Sequence, residues 1–156
     1  MTNYQPDLAP LTTVDQAAGM NLIQVIETVI DSLDQSNSAM VSHNENENGY
    51  VWKFKYGSVE TFVQLTGTTD EDTFSVWATV LDLPVQNEAQ LSRKLLEMNW
   101  LTTFESHFAI FNNQVVVVSS RTVAELSPGE VSRLITVVAT IADDNDDALR
   151  SEFGTA

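Results

Sequence analysis

Residues 50–80 have the sequence YVWKFKYGSVETFVQLTGTTDEDTFSVWATV. Large apolar residues occupy every second position in three successive runs, an alternation typical of strands with one buried face. The segments between the runs, Gly57-Ser58 and residues 67–72, are short and have turn composition. Because strands joined by such short turns pair antiparallel, we predict a three-stranded meander at the centre of the fold.

Two more strands are predicted downstream, as a hairpin. Asn112-Asn113 separates a run over residues 104–110 from a run over residues 115–121. Asparagine tolerates the positive φ that a tight hairpin turn requires. Residues 115–118 are four consecutive valines, so we expect this strand to be covered on both faces.

Two amphipathic helices are predicted around these strands. The first begins at Thr13 or at Asn21 and stops at Asp34. Its apolar stripe is formed by Leu22, Ile26, Val29, Ile30 and Leu33. The second begins after Pro84 with Asn87 as its cap and ends near residues 99–100. Its predicted buried face is formed by Leu91, Leu95 and Met98.

A third helix has the strongest local start signal in the chain. Ser127 is placed as the N-cap, Pro128 as the first helical residue and Glu130 as the second half of a capping box. The apolar stripe continues beyond the acidic run at residues 143–147 and ends at Gly154. We interpret the acidic run as a solvated helix end.

The order of these elements is helix, three strands, helix, two strands, helix. Residues 35–48 are mostly polar, and we interpret His43–Gly49 as an exposed turn. We predict a flexible N-terminal arm over residues 1–12 and one α+β domain over residues 13–156. That domain is expected to contain a five-stranded antiparallel sheet with three helices gathered on one face.

Four short segments occur in this chain in a defined order. They are Asn99-Trp100-Leu101, the Phe108–Val118 hairpin, the Ser127–Glu130 helix start and the Phe153-Gly154 ending. In this order and spacing they resemble the bacterial YbjN-like family, whose fold is shared with type III secretion chaperones, over roughly residues 20–154. The resemblance implies a small acidic α+β domain with a type III secretion chaperone-like fold. It also implies an often dimeric protein with no known enzymatic site and a chaperone-like or regulatory role in binding another protein. No secretion apparatus is visible in the sequence, so a secretion role does not transfer.

Composition excludes several classes of function. The 156 residues carry 7 lysines and arginines against 22 acidic residues, a formal net charge of −15, which disfavours direct binding to nucleic acid or to anionic membranes. The absence of cysteine excludes disulfides, thiolate metal sites and a cysteine nucleophile. The sequence shows neither a secretory signal nor the run of about 20 apolar residues that spans a membrane, so we expect a cytoplasmic protein.

Catalytic, cofactor and metal motifs were sought, and none is predicted. His43 and His107 lack partners at metal-ligand spacing, and no phosphate-binding or nucleophile motif is present. Asp143-x-Asn145-x-Asp147 resembles the opening of a calcium loop, but the glycine and glutamate that such a loop requires are replaced by Ala148 and Gly154.

Aromatic residues of the meander are the candidate partner-binding residues. They are Tyr50, Trp52, Phe54, Tyr56, Phe62 and Trp77. The first four lie on one strand face and are expected to pack under a helix or to form an interaction surface. Three helices cannot cover both faces of the sheet, so Tyr56, Phe62 and Trp77 are expected on the open face or at a dimer seam. Lys53 and Lys55 either protect a sheet edge or meet acidic residues of a second subunit.

Two hypotheses for the function follow. The first is a non-catalytic, protein-binding adaptor or chaperone-like regulator that acts as a homodimer and uses an apolar sheet or helix surface. Its net charge would steer it towards a basic partner. The second is a small-ligand-binding or enzymatic domain with a carboxylate-lined pocket.

The predicted start of the third helix can be tested by mutation. We expect Ser127→Ala to lower the free energy of unfolding by about 1 kcal/mol, because the first turn loses its side-chain cap. Thermal or urea denaturation measures the change. An unchanged melting midpoint would contradict the assigned helix start.

Overall fold

The computed structural model describes residues 22–44 and 49–154. The described part of helix α1 covers residues 22–33. The other elements are β1 (Met40–Asn44), β2 (Gly49–Tyr56), β3 (Val59–Leu65), β4 (Thr73–Asp82), α2 (Glu88–Leu101), β5 (His107–Phe111), β6 (Gln114–Thr122) and α3 (Pro128–Phe153). The predicted arm over residues 1–12 and the start of the first helix lie outside the described residues.

The strands form one antiparallel sheet in the order β1-β2-β3-β4-β6-β5. Helix α3 packs against the central strands β4 and β6 and reaches β3 and β2. The four inward side chains of β4 have no exposed surface; they are Phe74, Val76, Ala78 and Val80. Side chains of α1 and α3 complete this core. The α+β architecture is therefore as predicted, with its core between one sheet face and the helices.

The prediction of five strands is wrong, because the sheet has six. The additional strand, β1, lies in the polar segment that we had interpreted as ending in an exposed turn. His43 pairs with Tyr50 across β1 and β2, and their rings stack with centroids 4.2 Å apart. The side chains of residues 40–43 are exposed, so this edge strand buries no apolar face and its sequence lacks the alternation that predicts a strand. Lys53 pairs with Met40 of β1, and the Lys55 backbone N–H donates to Ser38, so neither lysine protects an open sheet edge.

Asp34 directs the chain from α1 into β1. Its carboxylate accepts hydrogen bonds from the Ser38 hydroxyl and from the Ala39 backbone N–H, both at 2.8 Å. Burial raises the pKa of Asp34, but hydrogen bonds from Ser38, Ala39 and Ser36 outweigh it and hold this pKa below its ordinary value. The Ser38 hydroxyl also accepts the backbone N–H of Lys55 at 2.9 Å, which ties this loop to β2. A polar loop thereby fixes the position of the sixth strand.

The predicted turn of the β5–β6 hairpin is confirmed, but the predicted start of β5 and the predicted cap of α2 need correction. Asn112 and Asn113 have φ of 50° and 58°, which confirms the tight turn between β5 and β6. Strand β5 begins at His107 and not at residue 104, since Phe104 has a φ of 54° and lies outside the sheet. Asn87 occupies the N-cap position of α2, but its side chain makes no capping hydrogen bond.

The third helix begins and ends as predicted. The Ser127 side chain accepts the backbone N–H of Glu130, and Gly154 follows the last helical residue with a φ of 62°. Val115 and Val117 are buried on the core face of β6 and Val116 is buried on the opposite face, whereas Val118 on that opposite face is only half-buried.

The acidic run of α3 is not simply solvated. Asp146 has no exposed surface, and its Oδ2 accepts the Ser58 hydroxyl at 2.6 Å. Asp143 Oδ1 accepts the Ser58 backbone N–H at 2.9 Å. Two carboxylates of α3 therefore hold the β2–β3 turn, where Gly57 has a φ of 55° and lies directly against the Asp143 carboxylate.

We expect Gly57→Ala to lower the free energy of unfolding by about 1–2 kcal/mol, because alanine disfavours positive φ. The added Cβ also collides with the Asp143 carboxylate, which cannot move without losing its hydrogen bond to Ser58. Urea denaturation gives the difference. Gly129→Ala is the matched control: a Cβ at Gly129 would meet only the Ser127 hydroxyl, at an ordinary contact distance of 3.9 Å, so alanine at this helix start should be neutral or stabilising. Equal effects at the two glycines would exclude the proposed contact.

Asp72 fixes the β3–β4 turn through three hydrogen bonds. Its carboxylate accepts the Thr69 hydroxyl at 2.7 Å, the Thr69 backbone N–H at 2.9 Å and the Thr66 hydroxyl at 3.0 Å. The bonds from Thr69, together with the weaker one from Thr66, hold the pKa of Asp72 below its ordinary value.

This lowered pKa predicts a pH-dependent contribution to stability. The contribution is fully present above the unfolded-state pKa, about 3.9, and is lost as the pH falls through the lower folded-state pKa. We therefore expect wild type to be more stable than Asp72→Asn at pH 7 and the difference to shrink below about pH 4. Urea titrations of both proteins at pH 7, 5 and 3 measure it. A difference that is constant over this range would show that the Asp72 charge is irrelevant.

Candidate partner-binding surfaces

The aromatic stripe of β2 belongs to the core. Trp52 is 2% exposed and Phe54 is 1% exposed, while Tyr50 and Tyr56 are half-buried and pack against the same core. The Trp52 indole N–H donates to Glu27 of α1 at 3.4 Å. In this fold Trp52 and Phe54 are inaccessible to a partner, and Tyr56 lies on the helix-covered face rather than on the open face where we had placed it.

The opposite face of the sheet carries one row of side chains that crosses all six strands. Register places Met40, Lys53, Phe62, Trp77, Val118 and His107 beside one another in this order. Among the described residues, no helix packs over this row, which we call the open-face row. It contains Phe62 and Trp77, the two candidate aromatic residues that the sequence placed outside the β2 stripe.

The centre of the open-face row is an aromatic cluster. Phe62 and Trp77 stack with centroids 5.3 Å apart, and Phe111 contacts Trp77 edge-on at 5.9 Å. Lys53 Nζ lies 5.8 Å from the centroid of Phe62. Beside Trp77, a shallow depression of about 360 Å³ is lined partly by Val116 and Phe111. The cluster presents exposed aromatic rings beside this depression, and aromatic residues are enriched in protein-binding surfaces.

This face is poor in acidic groups despite the charge of the chain. Glu60 and Asp82 lie on it, but Glu60 pairs with Lys53 at 3.2 Å and Asp82 accepts the Gln114 amide at 2.6 Å. Lys55 is exposed on the same face.

Helix α2 presents a second apolar surface, which the sequence analysis missed. Leu96, Trp100, Leu101 and Phe104 are 69%, 88%, 74% and 78% exposed, and they lie within nine consecutive residues. An open depression of about 810 Å³ runs along the helix; its lining residues are Ala89, Arg93, Leu96, Glu97, Trp100 and Leu101. At 100° per residue, Leu96 and Trp100 fall opposite the buried Leu91 and Leu95. This helical spacing of apolar residues on two sides of α2 could have been recognised from the sequence.

The carboxylates near a further, polar depression are paired with arginines. This depression of about 350 Å³ lies between β6 and α3. Glu105 pairs there with Arg133, and Glu130 pairs with Arg121. The hydrogen bond from Arg133 holds the pKa of Glu105 below its ordinary value, whereas a general acid requires a raised pKa. Within the described residues, no cluster of three or more metal-ligating acidic or histidine side chains occurs.

The described helices include none that is both long enough and apolar enough to cross a membrane.

Comparison with known proteins identifies the family. The family model YbjN, described as "Putative bacterial sensory transduction regulator", matches residues 22–151. A chain in the crystal structure of the ExsC–ExsE complex is similar in structure, with a TM-score of 0.53 and 12% sequence identity. The similarity covers 84% of this chain and 95% of that chain, and it agrees with the chaperone-like fold that the resemblance implied. No curated protein matches the sequence. The family match spans most of the described domain, so the chain belongs to the YbjN family.

Proposed function

We propose that this protein is a non-catalytic, protein-binding adaptor that forms a homodimer through α2 and holds a segment of another protein on the open-face row. The observation that carries the proposal is the presence of two apolar surfaces, on different elements, that no described element covers. The family, described as regulatory, and the structural neighbour, solved as a complex, support a binding role over catalysis.

The apolar distribution around α2 supports its role as a dimer interface. The helix buries Leu91 and Leu95 against its own domain and exposes Leu96 and Trp100 on its opposite side. A helix with apolar residues on two sides is normally packed on both. Trp100 alone exposes roughly 130–220 Å². Together with its apolar neighbours it forms a patch of the kind that monomers rarely expose.

Charge and side-chain size make this surface self-complementary. A twofold axis at the level of residue 95, with the two α2 helices antiparallel, places Arg93 opposite Glu97 of the partner subunit. The same axis places the small Ala89 opposite Leu101 of the partner subunit. An interface between identical copies requires such matching of one patch with itself. Because Arg93 and Glu97 cancel, the patch is also locally neutral in a chain of net charge −15.

Charge reversal on α2 tests the dimer. We expect Arg93→Glu and Glu97→Arg each to weaken self-association, because each creates like charges across the twofold axis. An equimolar mixture of the two variants should form heterodimers, since one patch is then acidic and the other basic. Sedimentation velocity over a range of concentrations, with one variant labelled, measures both effects.

Two further variants serve as controls. Trp100→Ser should weaken the dimer without changing the fold, because its side chain is 88% exposed. Phe111→Ser, on the other apolar surface, should leave self-association unchanged. A monomeric wild-type protein at all concentrations, or a mixture of the charge variants that fails to associate, would refute the α2 interface.

A further inference from the structure

We infer that the Asn99 side chain takes the place of a neighbouring strand along β5 and keeps this edge of the sheet closed to strand addition by a second copy of the chain. Asn99 lies near the C-terminal end of α2, and β5 is the last strand of the sheet, paired with β6 on one side only. The inference goes beyond the proposed function, because it concerns a sheet edge and neither of the two apolar surfaces.

The Asn99 amide binds both backbone groups of Phe108 in β5. Its Oδ1 accepts the Phe108 N–H at 2.7 Å, and its Nδ2 donates to the Phe108 C=O at 3.4 Å. In an antiparallel pair, a residue exchanges both of its backbone hydrogen bonds with the residue opposite. One side chain therefore supplies the acceptor and the donor that a further strand would supply at this position.

The register of β5 shows which of its backbone groups face away from the sheet. Because the Phe108 groups bind Asn99, Phe108 and Val117 form a pair without mutual backbone hydrogen bonds. Backbone direction alternates along a strand, so the next outward-facing residue is Ile110. Among the described residues, no group hydrogen-bonds to the Ile110 backbone on this side. The edge is thus closed at Phe108 and open at Ile110.

The side chains around this edge favour strand pairing. Ile110 is 64% exposed and Phe111 is 51% exposed, and β-branched and aromatic residues are enriched in strands. Natural sheets protect such edges with lysine, proline or a bulge. Strand β5 has the sequence HFAIF and pairs with β6 in unbroken register, so it has none of these three devices. Asn99 is the protection that the structure provides instead.

The number of free backbone groups decides whether a strand can add. Each outward-facing residue offers one N–H and one C=O, and the Asn112-Asn113 turn ends the strand after Phe111. With Phe108 bound to Asn99, an incoming strand finds both groups of Ile110 and no others within β5. Without the Asn99 amide, the groups of Phe108 become available as well and the possible pairing doubles.

Amide hydrogen exchange of the full-length protein, followed by NMR, tests the contact. In wild type we expect the Phe108 amide to exchange slowly and the Ile110 amide to exchange rapidly, although both lie in one strand. At low protein concentration, Asn99→Ala should speed exchange at Phe108 about tenfold, because one hydrogen bond is lost. A Phe108 amide that exchanges as fast as that of Ile110 in wild type would overturn the inference.

Sedimentation velocity over a range of concentrations tests the protection of the edge. We expect Asn99→Ala to associate more strongly than wild type and its Ile110 amide to become protected as the concentration rises. The double variant Asn99→Ala/Ile110→Lys should return to the wild-type behaviour, because a lysine on an edge opposes pairing. Asn145→Ala is the matched control: Asn145 is also a half-buried helical asparagine, whose amide donates to the Ile141 C=O at 2.8 Å, and its loss should leave association unchanged.

Two results would contradict the protective role of Asn99. One is an Asn99→Ala protein with an exposed Phe108 amide that associates no more than wild type. The other is additional association that Ile110→Lys does not remove, because the copies would then meet through another surface. Association through α2 is tested separately by the charge variants of Arg93 and Glu97.

Discussion

The rest of the structure depends on the packing of helix α3 against the central strands β4 and β6. The inward side chains of β4 are fully buried under this helix, and buried positions recur along α3 from Val131 to Phe153. The helix is 26 residues long, so it spans about 39 Å and reaches β2 and β3 as well. The removal of this apolar area from water is the main driving force for the packing of the helices on one face of the sheet.

Covering one face of the sheet leaves the other for interactions. The three helices pack on the core side of the sheet, and the open-face row remains accessible in the described domain. Helix α2 contributes to this division because it buries only Leu91 and Leu95 and keeps its opposite apolar side exposed. The two surfaces differ in character. The α2 surface is neutral and self-complementary, whereas the open-face row is aromatic at its centre and its one lysine, Lys53, pairs with Glu60.

Polar contacts at the ends of the elements decide how the sheet is completed. Asp34 and Ser38 hold the loop that brings β1 beside β2, and the acidic run of α3 holds the β2–β3 turn through Ser58. The first set lies in a polar loop whose composition indicates only a turn. The second set joins residues that are far apart in the chain. They explain why the sixth strand and the structural use of Asp143 and Asp146 were not predicted.

The sequence by itself determined the meander, the Asn112-Asn113 hairpin and the start and end of α3, because each depends on local signals of period, cap or turn. The family was indicated by the resemblance of four short segments. The sequence also indicated that Phe62 and Trp77 lie away from the β2 stripe. Only the tertiary structure decided that Trp52 and Phe54 are core, that β1 is a strand and that Leu96 and Trp100 are exposed. Alternation along a strand divides its side chains between two faces but does not say which face a helix covers. Burial is a property of what packs above a residue, and that depends on contacts between elements far apart in the chain.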